Sequence, residues 1–158
     1  MDGTRPYHLL FVCTANICRS PMAEGLARHY AAERGWAVRT MSGGTMGLIG
    51  KSAAKNAVRV LGEIDIDISE HQSKGITEEM IGWADHILVM EMAHAVKLRK
   101  RFPDLLTDQD RILQLANFGG MMEIDDPVGG WRWRFRRSRD EIRRCVEAFM
   151  DNLPPRLA

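Results

Sequence analysis

The stretch from His8 to Pro21 reads His-Leu-Leu-Phe-Val-Cys-Thr-Ala-Asn-Ile-Cys-Arg-Ser-Pro and sets the expected architecture. The apolar run up to Val12 predicts a strand that is buried on both faces. Ser20 and Pro21 predict the start of a helix, because the missing N–H of proline costs nothing in the first helical turn. A strand, a short loop and a helix in this order form the repeating unit of parallel α/β folds.

The remainder of the chain also alternates between strand-like and helix-like segments. Gly35 is expected to end the first helix, which begins at Ser20. We expect three more strands, at 37–41, 86–90 and 111–115. Further helices are predicted at 53–61, from 77 onwards, at 93–101 and from a capping box at Ser138–Glu141 to Asn152. This order predicts one α/β domain with a four-stranded parallel sheet and helices on both faces.

Size and composition narrow the class of protein. The chain has 158 residues, a formal net charge of +1 and three cysteines. This length suits one ordinary domain, so residues 1–158 are predicted to form a single unit with its core at about 7–153. A net charge this close to zero gives no reason to expect nucleic acid as a partner. No segment resembles a signal peptide or a membrane span, and the cysteines make no disulfide framework, so we expect a cytoplasmic protein that does not bind membranes.

The loop between the first strand and the first helix has the composition of an anion-binding site. Its backbone N–H groups and the start of the helix favour a bound anion, and they favour the thiolate form of a cysteine at the base. Arg19 can bind two oxygens of a phosphate group with its planar guanidinium. The spacing therefore predicts Cys13 as a nucleophile and Arg19 as a phosphate ligand. The expected substrate-binding loop consists of Thr14, Ala15, Asn16, Ile17, Cys18 and Ser20.

The segment Cys13–Pro21 resembles the active-site loop of the low-molecular-weight protein tyrosine phosphatases, whose pattern is Cys, five residues, Arg and Ser or Thr. The resemblance continues at Met22–Gly25 and at Asp125–Pro127, and it covers nearly the whole chain. It implies a flavodoxin-like fold of the phosphotyrosine protein phosphatase I type. It also implies hydrolysis of phosphotyrosine in proteins through a phosphocysteine intermediate, without a metal or cofactor, by a monomer or weak dimer.

The resemblance assigns a general acid to the segment before Pro127. Asp126 matches the family's aspartate before proline, which protonates the tyrosyl oxygen and later activates water. Asp125 stays a competing candidate. Without the resemblance, the same residues would be interpreted as a turn, because aspartate before proline commonly starts one.

A supporting network around the loop is also implied. Asn16 tolerates the left-handed backbone conformation better than most residues, and its side-chain amide can tie the loop together. By resemblance, Ser20, Ser42 and His71 form a hydrogen-bonding network around this asparagine. Ser20 would also donate to the sulfur of Cys13 and assist its departure.

The two other cysteines have different expected environments. Cys18 matches the second cysteine of the family's loop. It is therefore either a regulatory disulfide partner of Cys13 or an unreactive buried residue. Cys145 has helical spacing with apolar residues and is expected in the core.

The sequence departs from the family around the expected substrate pocket. The family usually has an aromatic residue just after the Asp-Pro pair, whereas Val128–Gly130 follow here. Trp131 or Trp133 could take the place of that ring. The pair Met90-Glu91 stands where the family usually has Met-Asp, and the sequence does not reveal its consequence.

Two other segments admit more than one interpretation. Trp131–Arg137 alternates aromatic residues and arginines, and we interpret it as a loop that its aromatic side chains anchor while its arginines stay in solvent. A rim for acidic phosphoprotein segments and a patch for polyanions are the alternatives. Gly44–Ser52 resembles a nucleotide-binding loop, but Thr45 stands where the first glycine is required, so we reject nucleotide binding.

Three other functions fit parts of the pattern. A thioredoxin-coupled arsenate reductase shares the scaffold, but it needs a further pair of cysteines, and only Cys145 lies outside the loop. A protein-arginine phosphatase has a similar loop but carries threonine where this chain has Ile17. A module that binds phosphate without turnover needs neither Cys13 nor Asp126. The residues therefore favour a phosphotyrosine phosphatase.

Overall fold

The computed structural model describes residues 5–107 and 111–158. Their strands are β1 (Tyr7–Cys13), β2 (Val38–Gly44), β3 (His86–Val89) and β4 (Ile112–Gln114). Their helices are α1 (Arg19–Arg34), α2 (Lys55–Gly62), α3 (Glu78–Trp83), α4 (Met92–Arg101), α5 (Arg132–Asp151) and a 3-10 helix (Leu115–Gly119). The predicted alternation of strands and helices is confirmed, and most boundaries lie within a few residues of those expected.

The sheet is parallel throughout, and its strand order is β2-β1-β3-β4. The central strands β1 and β3 are buried along nearly their whole length, as continuous apolar runs predict. The chain leaves β1 for β2 on one side and later adds β3 on the other side, so the order reverses between β1 and β3. Ligands of such sheets bind beyond the carboxyl ends of the strands at this reversal, which is where Cys13 lies.

Helices cover both faces of the sheet, as predicted. Side chains of β1 alternate between two apolar layers, because successive residues of a strand point to opposite faces. Leu9 and Phe11 belong to the layer that contains α1, α2 and α5. Leu10 and Val12 belong to the layer that contains α3 and α4.

The helix ends show the local signals expected of them. α1 ends at Arg34, and the residue that caps it, Gly35, has a φ of 64°, in the left-handed region that glycine adopts without strain. α3 begins after Thr77, whose side-chain oxygen accepts the backbone N–H of Met80. Among the residues that the structure describes, no helix is both long and apolar enough to cross a membrane.

The last helix begins earlier than predicted, at Arg132 rather than at a capping box on Ser138. The interpretation of Trp131–Arg137 as a loop held by its aromatics is therefore wrong. Phe135 is 2% exposed, but Trp131 and Trp133 are 79% and 59% exposed, so only the phenylalanine anchors the segment. The helical period explains this result, because Phe135 and Ser138 lie on the buried face of α5 while the tryptophans do not.

Arginines of α5 also have partners that the loop interpretation did not include. Arg136 and Arg139 both form ion pairs with Glu63, which follows the last residue of α2. Arg137 pairs with Glu141 one helical turn further on. The two pairs with Glu63 fasten the first half of α5 to the end of α2. The arginines of 131–137 all stay exposed to solvent, as expected.

Candidate active site

The loop from Cys13 to Arg19 lies at the carboxyl end of β1 and leads directly into α1. Cys13 is the last residue of β1 and pairs in register with Gly44, the last residue of β2. A Cβ atom at Gly44 would lie 2.6 Å from the carbonyl oxygen of Thr14. The loop therefore sits against β2 so closely that only glycine fits at this position.

The sulfur of Cys13 has two hydrogen-bonding partners inside the loop. Ser20 Oγ lies 2.9 Å from Sγ, and the backbone N–H of Asn16 donates to Sγ over 3.3 Å. Ser20 Oγ also accepts from the side-chain amide of Asn16, so its own hydroxyl proton is available to the sulfur. Two donors aimed at one sulfur stabilise a thiolate and make it a better leaving group.

Asn16 braces the loop with bonds in several directions. Its φ is 61°, the left-handed conformation that asparagine was expected to tolerate. Its amide donates to Ser42 Oγ over 2.9 Å, and its side-chain oxygen accepts from the backbone N–H of Lys74 over 3.1 Å. His71 Nε2 lies 2.7 Å from its carbonyl oxygen. The structure thus brings Ser20, Ser42 and His71 together around this asparagine.

Arg19 is 2% exposed, and its charge is compensated on two sides. Nη1 donates to the carbonyl oxygen of Ile124 over 2.7 Å, and Nη2 donates to Glu91 Oε2 over 3.2 Å. These contacts use two of the five N–H groups of the guanidinium, so others remain for phosphate oxygens. Burial fixes the orientation that such a clamp requires.

Asp126 combines the two interpretations that the sequence left open. Its Oδ1 accepts the backbone N–H of Val128 over 3.0 Å, which forms a turn. Its Oδ2 lies 3.7 Å from Arg19 Nη2, and the residue lines the cavity above Cys13. Asp125 instead lines a separate cavity beside α5. Of the two aspartates, only Asp126 lines the cavity that contains Cys13.

The cavity above Cys13 has a volume of about 320 Å³ and aliphatic walls. Its lining consists of Cys13, Thr14, Ala15, Ile17, Cys18, Arg19, Met46, Leu48, Asp126 and Val128. Trp131 and Trp133 line a different surface depression, so the expectation that one of them walls this pocket is wrong. The segment that resembled a nucleotide-binding loop supplies Met46 and Leu48 instead.

Cys18 and Cys145 differ from Cys13 in their surroundings. Burial, followed by the negative charges of Asp126 and Cys13, raises the pKa of Cys18 to about 12. Cys18 is therefore a protonated thiol, and its disulfide with Cys13 stays a prediction. Cys145 is fully buried in the layer beneath α5, which confirms the expected core position.

Sequence reasoning missed the pair that closes the other side of the site, Glu91 and His94. Glu91 caps α4 and accepts the backbone N–H of His94, while His94 Nδ1 accepts the backbone N–H of Glu91. His94 Nε2 lies 3.0 Å from Thr14 Oγ1. The sequence did contain a signal for this pair, since Glu91 follows an apolar strand and His94 stands three positions later. Such a pair can form a capping box at the start of a helix.

The site thus gathers a sulfur with two donors, a buried guanidinium and a carboxylate around one cavity. This arrangement can bind a tetrahedral oxyanion, attack its central atom and exchange a proton with a leaving group. Within residues 5–107 and 111–158, no group of three or more His, Cys, Asp or Glu side chains is arranged to hold a metal ion.

Comparison with known proteins identifies the family. Residues 8–156 match the sequence model of the low molecular weight phosphotyrosine protein phosphatases. The chain belongs to this family. Members of the low-molecular-weight protein-tyrosine-phosphatase family are phosphoric monoester hydrolases, and the fold and resemblance predicted from the sequence are confirmed.

Individual relatives within the family carry different names. A protein-arginine-phosphatase of Geobacillus stearothermophilus is 35% identical over 94% of this chain and 97% of that protein. A probable low molecular weight protein-tyrosine-phosphatase of Ralstonia solanacearum is 34% identical over 92% of this chain and 94% of that protein. The crystal structure of a low molecular weight protein tyrosine phosphatase from T. tengcongensis superposes with a TM-score of 0.87 at 32% identity, covering 93% of this chain and 99% of that one.

Proposed function

We propose that the protein hydrolyses phosphotyrosine in proteins through a phosphocysteine intermediate on Cys13. One observation carries the proposal: the sulfur receives two donors at the base of a cavity whose walls also hold Arg19 and Asp126. This is the set of groups that phosphoryl transfer to a thiol requires, namely a nucleophile, a clamp for the oxygens and an acid for the leaving group.

In the first step, Cys13 Sγ forms a bond to phosphorus while the bond from phosphorus to the phenolic oxygen breaks. Asp126 donates its proton to that oxygen, so tyrosine leaves neutral. Arg19 and the loop N–H groups bind the equatorial oxygens, where the transition state holds its charge.

In the second step, water attacks the phosphocysteine. Asp126, now a carboxylate, takes the proton from the water as the bond between phosphorus and sulfur breaks. The sulfur leaves as a thiolate, and the hydroxyl of Ser20 and the N–H of Asn16 stabilise its charge. The products are inorganic phosphate and the starting enzyme, so no metal or cofactor enters the cycle.

The pocket walls support an aryl phosphate as substrate. Ile17, Met46, Leu48 and Val128 offer aliphatic surface to the group behind the phosphate, which suits a phenyl ring better than a charged guanidinium. Phosphoarginine is the second candidate, because a relative of 35% identity carries the name protein-arginine-phosphatase. Arsenate reduction has less support, because Cys145 is fully buried and does not reach the cavity.

We further propose phosphotyrosine-containing proteins as the partners, no nucleic acid or membrane partner, a monomer or weak dimer, and a cytoplasmic location. The cysteine chemistry supports this location, because a nucleophilic thiolate survives best in a reducing compartment. The three cysteines of the chain are all free thiols in the structure.

The test is turnover of an aryl phosphate by the wild type and by Cys13→Ser, Asp126→Asn and Asp125→Asn, each with and without a chelator. Cys13→Ser is expected to be inactive, and Asp126→Asn to lower kcat by about 10²–10⁴-fold. The matched Asp125→Asn variant should change kcat far less, and the chelator should have no effect. Full activity of Cys13→Ser, or a larger loss in Asp125→Asn, would refute the mechanism.

A second assay addresses the substrate. Phosphotyrosyl and phosphoarginyl peptides of equal sequence are compared with the wild type and Ile17→Thr. The wild type should prefer the phosphotyrosyl peptide, and Ile17→Thr should lower that preference. A wild type that turns over the phosphoarginyl peptide faster would replace the proposed substrate by the second candidate.

A further inference from the structure

His94 is a buried histidine with no role in the mechanism above. It is 2% exposed at the first turn of α4, and it contacts both Thr14 of the phosphate-binding loop and Glu91, the residue that caps α4. Its Nδ1 lies 3.2 Å from the backbone nitrogen of Glu91, and its Nε2 lies 3.0 Å from Thr14 Oγ1. A buried imidazole is costly to leave unpaired, and here both ring nitrogens are used.

These contacts determine the tautomer of the ring. A backbone N–H can only donate, so Nδ1 accepts from Glu91 and carries no proton. The neutral ring then has its proton on Nε2, which donates to Thr14 Oγ1 over 3.0 Å, the nearer of its two acceptors, since Glu91 Oε2 lies 3.4 Å away. Burial, followed by the positive charges of Arg19 and Lys97, lowers the pKa of His94 to about 4, so the ring is neutral near pH 7.

The direction of this hydrogen bond has a consequence for Thr14. Because Thr14 Oγ1 accepts from His94, its hydroxyl proton is free to donate to another group. Thr14 lines the cavity above Cys13, where the phosphate would lie. The other ring nitrogen holds Glu91, whose carboxylate contacts Arg19. One side chain thus connects two groups of the cradle that are far apart in sequence.

We propose that His94 is a positioning residue of the oxyanion cradle: its Nε2–H fixes the Thr14 hydroxyl so that this hydroxyl donates to an oxygen of the bound phosphoryl group. This proposal rests on the proposed function, since it concerns a residue that positions a ligand of the same phosphate-binding site. Thr14 would then bind the oxyanion through its side-chain hydroxyl as well as through the backbone of the loop. His94 acts only through Thr14 and Glu91 and does not touch the substrate.

Two variants of His94 separate this role from the capping of α4. In His94→Asn, the side-chain oxygen lies where Nδ1 lies, so the cap on Glu91 stays, but no donor reaches Thr14. In His94→Gln, the amide nitrogen reaches as far as Nε2, and glutamine at this position of a helix can also keep the cap. Val96→Ala, at an exposed residue of the same helix, is the control for helix stability.

Two quantities are measured for each variant. Titration calorimetry gives the affinity for tungstate, a tetrahedral oxyanion, and thermal unfolding gives the melting temperature. His94→Asn is expected to bind tungstate about tenfold more weakly at a nearly unchanged melting temperature, which is the loss of one hydrogen bond. His94→Gln should recover most of the affinity. Adding His94→Asn to Thr14→Val should cause no further loss, because both changes remove the same contact.

Several results would overturn the proposal. Wild-type affinity in His94→Asn, equal losses in both His94 variants, or losses that follow the melting temperature would show a purely structural histidine. Additive losses in the double variant would remove Thr14 from the pathway. Aryl phosphate turnover is measured in parallel: a wild type that binds tungstate without turnover refutes the proposed function alone, whereas a wild type that binds no tungstate refutes both.

Discussion

Cys13 and Cys18 are five residues apart and equally buried, yet the structure gives their sulfurs opposite chemistry. Cys13 receives donors from Ser20 and from the backbone of Asn16. Cys18 has a pKa raised to about 12, chiefly because it is buried and secondly because Asp126 lies near it. The spacing to Arg19 selects Cys13 as the nucleophile, but it does not show what makes one sulfur more reactive than the other. The difference comes from which sulfur the donors reach.

This difference predicts selective alkylation. Iodoacetamide at about pH 7 is expected to modify Cys13 and to leave Cys18 and Cys145 unmodified, because only a thiolate reacts quickly. Peptide mass spectrometry gives the site and rate of modification. Inorganic phosphate should slow the reaction at Cys13, and a rate at Cys18 equal to that at Cys13 would contradict the assignment.

Individual site residues were predictable where the chemistry is local in sequence. The spacing of Cys13 and Arg19 and the conformation of Asn16 follow from one short loop. Glu91 and His94 were not predicted as site residues, because their contacts with Arg19 and Thr14 span 72 and 80 positions. Only the packing of α4 against the loop reveals such contacts.

The carboxyl end of β2 is as important to the site as β1, because it fixes where the loop lies. Gly44→Ala would place a Cβ 2.6 Å from the carbonyl oxygen of Thr14, so the loop must move. We expect kcat/KM to fall by about 10²-fold, the effect of a displacement of roughly 1 Å at a reacting centre. Steady-state kinetics with an aryl phosphate measures this loss.

Gly62→Ala is the matched control for this experiment. Gly62 is the last residue of α2, and a Cβ atom there would meet no described residue within 4 Å, apart from its chain neighbours and the adjacent backbone of α2. Its activity should equal that of the wild type. Wild-type activity in Gly44→Ala would show that the close approach of the loop to β2 does not matter.

Strands were easier to predict than the last helix, for a physical reason. Strands buried on both faces are continuous apolar runs, and β1 and β3 stand out as such. In α5, the alternation between Trp131 and Phe135 imitates the period of a strand. Ser138 and Glu141 imitate a capping box, but Ser138 lies inside the helix, and its buried hydroxyl has no hydrogen-bond partner among the described residues.

The stability of the folded molecule should depend on pH through His94. Its folded pKa of about 4 lies below the ordinary value of 6.5, so between these values the unfolded chain binds a proton that the folded protein excludes. The free energy of unfolding therefore rises with pH across this window. The contribution of His94 to it is present above about pH 6.5 and is lost as the pH falls towards 4. The loss amounts to at most about 3 kcal/mol.

Urea unfolding at about pH 7 and about pH 4.5 tests this dependence. His86 contributes in the same direction, because burial lowers its pKa as well. The comparison with His94→Gln isolates the contribution of His94, since glutamine does not titrate. An equal loss of stability in the variant and the wild type would show that His94 binds its proton in the folded state.

A four-stranded parallel sheet with helices on both faces could be predicted from the order of elements, because parallel strands need crossover connections. The character of the substrate pocket could not. Its walls come from the loop after β2 and from the turn at Asp126, and their meeting above Cys13 depends on the complete fold. The sequence suggested an aromatic wall, and the assembled molecule has an aliphatic one.

The most direct test of the account is to trap the covalent intermediate. ³²P-labelled p-nitrophenyl phosphate, whose leaving group departs without being protonated, is mixed with Asp126→Asn, in which the second step lacks its base, and the reaction is stopped with acid within milliseconds. We predict labelled protein with the phosphate on Cys13, and none in the double variant that also carries Cys13→Ala. Turnover without labelled Cys13, or equal labelling of the Cys13→Ala variant, would contradict the central role of this sulfur.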